Sequence, residues 1–279
     1  MVFALLGGDD RSVRLCRLLR ADGHTVRAFA LEQALPENAA DARAAVEGAD
    51  CIVLPLPCEK DGVLFTPLSQ QRLPIPPLLA AAAPGTHVFA GRAPEALRAA
   101  CRRLGLPLTD FLRREDFALR NAALTAEGAL ALLLQGEGAL QGSRVLIGGF
   151  GRIGRFLAAK LRALGADVTV AARAAEDRAL AEAMGCRAIR FADVSVPAAW
   201  DAVVNTVPAA VFGAPELAAF ADARLLELAS APYSFDLEAA AALGKRVEVC
   251  GGLPGKCAPL AAAAALRDTV YSVLEDGST

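Results

Sequence analysis

Histidine is almost absent from the 279 residues: only His24 and His87 occur, far apart in the chain. A histidine-rich metal site or a Cys–His nucleophile pair therefore has little basis. Cysteine occurs at 16, 51, 58, 101, 186, 250 and 257, but never as Cys-x-x-Cys. The scattered, odd-numbered set suggests neither a disulfide framework nor a zinc knuckle, and buried reduced thiols are expected. Positive charge is not in excess: 29 Lys and Arg stand against 31 Asp and Glu. A nucleic-acid footprint is not expected from that balance. No run of about 18 strongly apolar residues stands out. The start, Met-Val-Phe-Ala-Leu-Leu-Gly-Gly, lacks the basic segment and long apolar stretch of a secretion signal. These features lead to the expectation of a soluble cytoplasmic protein that binds neither membrane nor metal.

Hydrophobic residues make up 54% and charged residues 22% of the chain, which excludes a disordered or fibrous protein. The length suits one large domain or two modest ones. Short apolar runs alternate with Ala/Leu/Arg segments of helical period, the pattern of parallel strands covered by helices. Strands are expected at 2–6, 25–29, 51–54, 87–90 and 106–109, with helices at 10–22 and 94–104. One long helix fits 115 to about 135, where Gly136-Glu137-Gly138 and Gly142 break it. A second series has strands at 144–148, 168–172, 187–191, 202–205, 225–229 and 247–250. Its helices fall at 152–164, 175–184 and 235–243, and a last helix covers about 258–275. The expected fold is α/β: two Rossmann-like domains with parallel sheets, joined by the long helix, with the C-terminal helix packing back on the first domain. The expected boundaries are 1–120 plus about 258–279 for a substrate-side domain and 121–257 for a nucleotide-binding one.

The sharpest local signal is Gly149-Phe150-Gly151-Arg152-Ile153-Gly154, directly after an apolar strand and before a helix. Gly149 permits the tight turn, Gly151 leaves room for a pyrophosphate, and Gly154 lets the helix sit close. The N–H groups at that helix start then face the phosphates. NAD sites usually place an acid at the end of the next strand. Here the strand ends Ala171-Ala172-Arg173, with Arg178 following. A guanidinium suits the 2′-phosphate of NADP, although a solvated surface Arg would read the same. NADP is thus the expected cofactor and NAD the alternative.

The loop Gly7-Gly8-Asp9-Asp10-Arg11 lacks the third glycine spacing and is assigned no nucleotide. It lies at a strand's carboxyl end, as do Pro55-Leu56-Pro57, Asn205-Thr206-Val207-Pro208 and Ala229-Ser230-Ala231-Pro232. In open α/β sheets ligands bind at such ends, so these loops are expected around a cleft beside the nicotinamide. Asp9 serves equally well as the N-cap of the first helix.

Several segments occur together in order. They are Gly-Gly-Asp-x-Arg at 7–11, Asn121-Ala-Ala-Leu-Thr125-Ala-Glu127-Gly128-Ala, the glycine fingerprint with Ala-x-Arg173, Asn205-Thr-Val-Pro-Ala209, and Leu253-Pro-Gly-Lys256-Cys-Ala-Pro259. This combination resembles the dipicolinate synthase A-subunit family of spore-forming bacteria over nearly the whole chain. Two segments differ: near 232 the family tends to an acid and Pro-Gly-Gly, and after Pro259 to Lys-Thr-Ala, where this chain has Leu260-Ala-Ala. The resemblance implies oxidation of dihydrodipicolinate to dipicolinate, a ring dicarboxylate on the lysine route, during sporulation. It also implies a flavoprotein B-subunit as partner and the mother-cell cytoplasm as location. A homo-oligomer is expected besides.

A dianionic substrate needs cationic or N–H-rich anchors. Arg11 and Lys256, both in expected loops, are the candidates, with Thr125 and Ser230 as further substrate contacts. Glu127, inside the long helix, is the expected proton acceptor or orienting carboxylate, with Asp9 as the alternative. Glu127 would otherwise be a salt-bridge partner and Lys256 a solvated lysine. Two rival functions remain: another NADP-dependent oxidoreductase of amino or keto acids, and a non-catalytic NADP-binding protein that organises a flavoprotein.

Overall fold

Two parallel sheets account for the alternation of apolar runs and helical segments. A computed structural model describes residues 1–136, 138–195 and 199–276, so Glu137 of the expected helix breaker lies outside it. The chain divides into Met1–Asn121 with Ala258–Thr279, and Ala122–Cys257.

The first unit runs β1 (Val2–Leu6), α1 (Asp10–Ala21), β2 (Thr25–Phe29), α2 (Ala42–Val46), β3 (Cys51–Val53), β4 (Glu59–Lys60), β5 (Val63–Leu64), α3 (Ile75–Leu78), β6 (His87–Ala90), α4 (Glu95–Leu104) and β7 (Leu108–Asp110). Its main sheet has the order β2-β1-β3-β6-β7, all parallel. β4 and β5 form a separate antiparallel hairpin. The main strands are apolar on both faces because helices cover both. Phe3 and Leu5 face one core, Ala4 and Leu6 the other. Asp9 caps α1, its Oδ1 accepting from Arg11 N at 3.0 Å, and Val13, Leu15, Cys16 and Leu19 are buried.

α5 (Glu115–Leu134) carries the chain across the boundary between the units. Among the described residues it is the one helix long and apolar enough to cross a membrane. Four of its apolar side chains belong to cores, Phe117 in the first unit and Ala126, Ala129 and Leu133 in the second, while Leu119 and Leu134 are exposed.

The second unit runs β8 (Arg144–Gly148), α6 (Arg152–Ala163), β9 (Asp167–Ala171), α7 (Ala175–Ala183), β10 (Arg187–Ile189), β11 (Ala202–Asn205), α8 (Ala214–Ala219), β12 (Arg224–Glu227), α9 (Leu237–Ala242), β13 (Val247–Val249) and α10 (Leu253–Cys257). Its sheet has the order β10-β9-β8-β11-β12-β13. Counted within the unit that is 3-2-1-4-5-6, the order of dinucleotide-binding sheets. The last helix, α11 (Pro259–Asp276), returns to the first unit. Its Ala263, Leu266 and Val270 share a core with Val13, Leu15 and Leu19 of α1. Tyr271 donates to Asp22 Oδ2, at the end of α1, at 2.8 Å.

All seven cysteines are free thiols and six are buried; only Cys257 is exposed. Burial pushes the Cys51 and Cys58 thiols up to about 12, so both stay protonated and unreactive at neutral pH.

Candidate functional site

The register of the second sheet lines up the site. Gly148 pairs with Ala171 on one side and Asn205 on the other, and Asn205 pairs with Glu227. The carboxyl ends of β9, β8, β11 and β12 therefore form one row. The strand order reverses between β8 and β11, which is where an open α/β sheet offers a crevice to a ligand. The glycine turn leaves β8 at that point, and the 205–208 turn leaves β11 beside it.

Gly149 has φ +93°, and a Cβ there would lie 2.4 Å from Val207 Cγ2 and 2.8 Å from Thr206 Oγ1. A Cβ at Gly154 would lie 2.4 Å from the Gly149 carbonyl oxygen. Both positions are closed to any side chain. Gly151 is the opposite case, because a Cβ there would have nothing within 4 Å. It is the N-cap of α6 and offers no capping side chain. The start of α6 carries no side-chain cap and the space beside Gly151 is open, which suits a diphosphate by charge and by room. Phe150 is buried in the core, Ile153 is half-buried, and Arg152 is exposed.

Behind the 205–208 turn lies a fully buried polar cluster that composition and motif did not disclose. Glu227, with no exposed surface, accepts from Asn205 Nδ2 at 2.6 Å and Ala229 N at 2.9 Å on Oε1. Its Oε2 accepts from Ser234 N at 2.8 Å and Phe235 N at 3.4 Å. Asn205, equally buried, bonds Val207 O through Nδ2 and Val207 N through Oδ1. Thr206 Oγ1 donates to Gly148 O at 2.9 Å. Glu227 thereby fixes the 229–235 loop and, through Asn205, the turn packed on Gly149. The sequence signal was one carboxylate in an apolar strand, Leu225-Leu-Glu227-Leu-Ala: a buried charge is retained only where donors surround it. Asn205 and Thr206, expected at the cofactor, act here as the internal frame of that wall. Pro208 is exposed.

At the other end of the row, Arg173 is exposed in the turn after β9. Arg178 Nη1 donates to the carbonyls of Ala172, Arg173 and Ala174, at 3.0, 2.6 and 3.3 Å. It shapes the turn that presents Arg173.

Of the remaining candidates, Arg11 and Lys256 sit differently from expectation. Arg11 is not an open loop cation: it is 4% exposed, bonding Asp9 Oδ2 and Leu56 O through Nη2, each at 3.2 Å. Since β1 and β3 are neighbours, this bond bridges the first sheet's own reversal point, which Gly8 N also closes by donating to Phe65 O. Arg11 braces two turns, and Asp9 is its partner and the α1 cap. Glu127 is an ion-pair partner, its Oε1 at 3.0 Å from Lys160 Nζ. Lys160 stands in the second half of α6, roughly 13 Å along the axis from the glycine turn, so this pairing draws Glu127 away from the phosphate end. Lys256 lies on α10, not in a loop, and is exposed. Gly128 permits close packing of α10 on α5: a Cβ there would meet Leu253 Cβ at 2.8 Å. Thr125 is buried on α5, and Ser230 is exposed in the loop that Glu227 holds.

Comparison with known proteins agrees with this geometry. Residues 2–112 match the family described as the N-terminal domain of the dipicolinate synthase A-subunit. Residues 109–222 match the D-isomer specific 2-hydroxyacid dehydrogenase, NAD binding domain. The dipicolinate synthase A-subunit of Bacillus subtilis (strain 168) is 26% identical over 283 residues, covering 98% of this chain and 95% of that protein. The crystal structure of the dipicolinate synthase A-subunit from Bacillus halodurans superimposes with a TM-score of 0.85 at 25% identity, covering 98% of this chain and 97% of that one. That of its Bacillus subtilis counterpart gives 0.84 at 25% identity, covering 99% and 96%.

Proposed function

Because the chain belongs to the dipicolinate synthase A-subunit family, we propose that it oxidises dihydrodipicolinate to dipicolinate with NADP as hydride acceptor. The observation that carries this reading is the open, uncapped glycine turn at the reversal point of the second sheet, in a chain alike to that family over its whole length.

The N–H groups of the first turn of α6 would hold the pyrophosphate, and Arg173 the 2′-phosphate. Without that phosphate, NAD would use the same cradle. The 205–208 turn would border the nicotinamide half. When bound, the nicotinamide supplies a hydride acceptor, and the aromatisation of the ring favours the oxidation. The substrate is a dianion, and Lys256 is the cation left open to it, with Ser230 and Thr125 as further contacts. Arg11 supports its loop from within. A flavoprotein B-subunit is the proposed partner, and the mother-cell cytoplasm of a spore former the proposed location.

One observation favours the rival reading of a non-catalytic NADP-binding protein: both candidate proton acceptors, Glu127 and Asp9, are held in ion pairs. Purified chain is to be mixed with NADP⁺ and dihydrodipicolinate, and NADPH formation followed. Turnover by the chain alone supports the enzyme. NADP⁺ binding with turnover only after adding the flavoprotein supports the organising role. A chain that binds no nicotinamide nucleotide overturns both.

A further inference from the structure

One side chain ties the glycine turn to the neighbouring strand-end turn. Arg155 stands in the first turn of α6, where its Nε donates to Phe150 O at 2.8 Å. Its guanidinium lies over the Phe150 ring, 5.7 Å from the centroid. Its Nη2 reaches Asp177 Oδ1 at 2.9 Å. Asp177 belongs to the first turn of α7, which follows the turn that carries Arg173. The pair is solvent-facing, with side chains 49% and 30% exposed. An ion pair so placed contributes little to stability, so its position calls for another account.

The adenosine ribose of a dinucleotide rests at the end of the second strand of such a sheet, which here is β9. An ionised acid near that point favours the 2′-hydroxyl of NAD and repels the 2′-phosphate of NADP. This chain has no acid at the strand end itself, but α7 opens with Glu176 and Asp177. Arg178 is turned to the backbone instead, its Nη1 engaged by three carbonyls. Arg155 holds the carboxylate of Asp177 and is fixed at its other face by Phe150.

We infer that Arg155 is a cofactor-selectivity residue, which neutralises Asp177 and so keeps the adenosine end of the cradle open to a 2′-phosphate. Arg155 acts through Asp177 and is a positioning residue. The inference rests on the proposal that this unit takes NADP.

The test is a calorimetric titration of the full chain with NADP⁺ and with NAD⁺. Wild type is to be compared with Arg155→Gln, Asp177→Asn and the double variant. Wild type should prefer NADP⁺. Arg155→Gln should weaken NADP⁺ roughly tenfold, with a smaller effect on NAD⁺. Adding Asp177→Asn to it should restore most of the loss, whereas adding Glu176→Gln should not. Arg155→Lys, which keeps a charge beside Asp177, should retain most of the preference and serves if Arg155→Gln folds poorly. If the double variant stays as weak as Arg155→Gln, Arg155 meets the cofactor directly and the inference is overturned. A wild type that prefers NADP⁺ but shows no coupling between 155 and 177 overturns this inference alone. A wild type with equal affinity for both nucleotides overturns the NADP reading and the inference with it.

Discussion

A single methyl group has opposite consequences at two glycines of the same turn. At Gly154 it would lie 2.4 Å from the backbone oxygen of Gly149, so the helix or the turn must move. Gly154→Ala should cost about 1–3 kcal/mol of stability, read as a lower urea midpoint. At Gly151 the backbone is φ −75°, ψ −163°, extended geometry open to any residue, and the space beyond is free. Gly151→Val should therefore melt close to wild type and yet lose nucleotide binding, because the side chain fills the place proposed for the pyrophosphate. Normal binding by Gly151→Val would put the phosphates elsewhere. Arg173 tests a different end of the same ligand. Arg173→Asp removes a charge-assisted contact and adds repulsion, which should cost NADP⁺ roughly 2–4 kcal/mol of binding while NAD⁺ changes far less. Parallel titrations with the two nucleotides measure it, and equal losses for both would remove Arg173 from the 2′-phosphate.

Glu227 organises a whole wall from the end of one strand. Four donors from four different residues converge on its two oxygens. Glu227→Leu leaves all four unmet inside the sheet edge and should cost about 3–5 kcal/mol, seen as a loss of the denaturant midpoint. Glu227→Gln keeps the shape but turns an amide N–H₂ toward two of the donors, so it should cost about 1–3 kcal/mol. Wild-type midpoints in both variants would mean that water meets those donors as well as the carboxylate does. Glu227 also shows where sequence reasoning stops. The long periodic elements, such as α1, α5 and α6, were legible because their apolar faces repeat over three turns or more. The glycine turn was legible because it sits between a strand and a helix of that kind. The β4–β5 hairpin, α2, α3 and α10 are only two to five residues long, too short for periodicity to register. Leu253-Pro-Gly-Lys256 has the composition of a turn and reads as a loop for that reason, yet it is helical, with Leu253 packed on Gly128. Glu127 and Arg11 were legible as charges in the right segments. Their partners, Lys160 and Leu56 O, come from distant parts of the chain, and only the folded chain brings them there.

Two units with separate cores respond separately to a ligand that contacts one of them. The cores of Met1–Asn121 with α11 and of Ala122–Cys257 contain different residues. The proposed nucleotide cradle takes in β8, α6, the turn after β9 and the turn after β11, all within the second unit. The corresponding reversal point of the first sheet is bridged by its own chain, through Arg11 to Leu56 O and Gly8 N to Phe65 O. A ligand that binds only the native state adds about 2.7 kcal/mol at a hundredfold excess over its dissociation constant. For NADP⁺ that increment should fall on the second unit. In amide hydrogen exchange, saturating NADP⁺ should slow the glycine turn, the first turn of α6 and the 205–208 turn most strongly. Slowing should extend through the β8, β9 and β11 ladders by the same mass action. Amides of β1, β3 and β6, whose opening does not require release of the nucleotide, should exchange at their unliganded rates. Gly151→Val should abolish the difference in the second unit and leave the first unit unchanged. Equal protection of both units would show that nucleotide binding is coupled to both folding equilibria, and a pattern confined to the first unit would place the cofactor there instead.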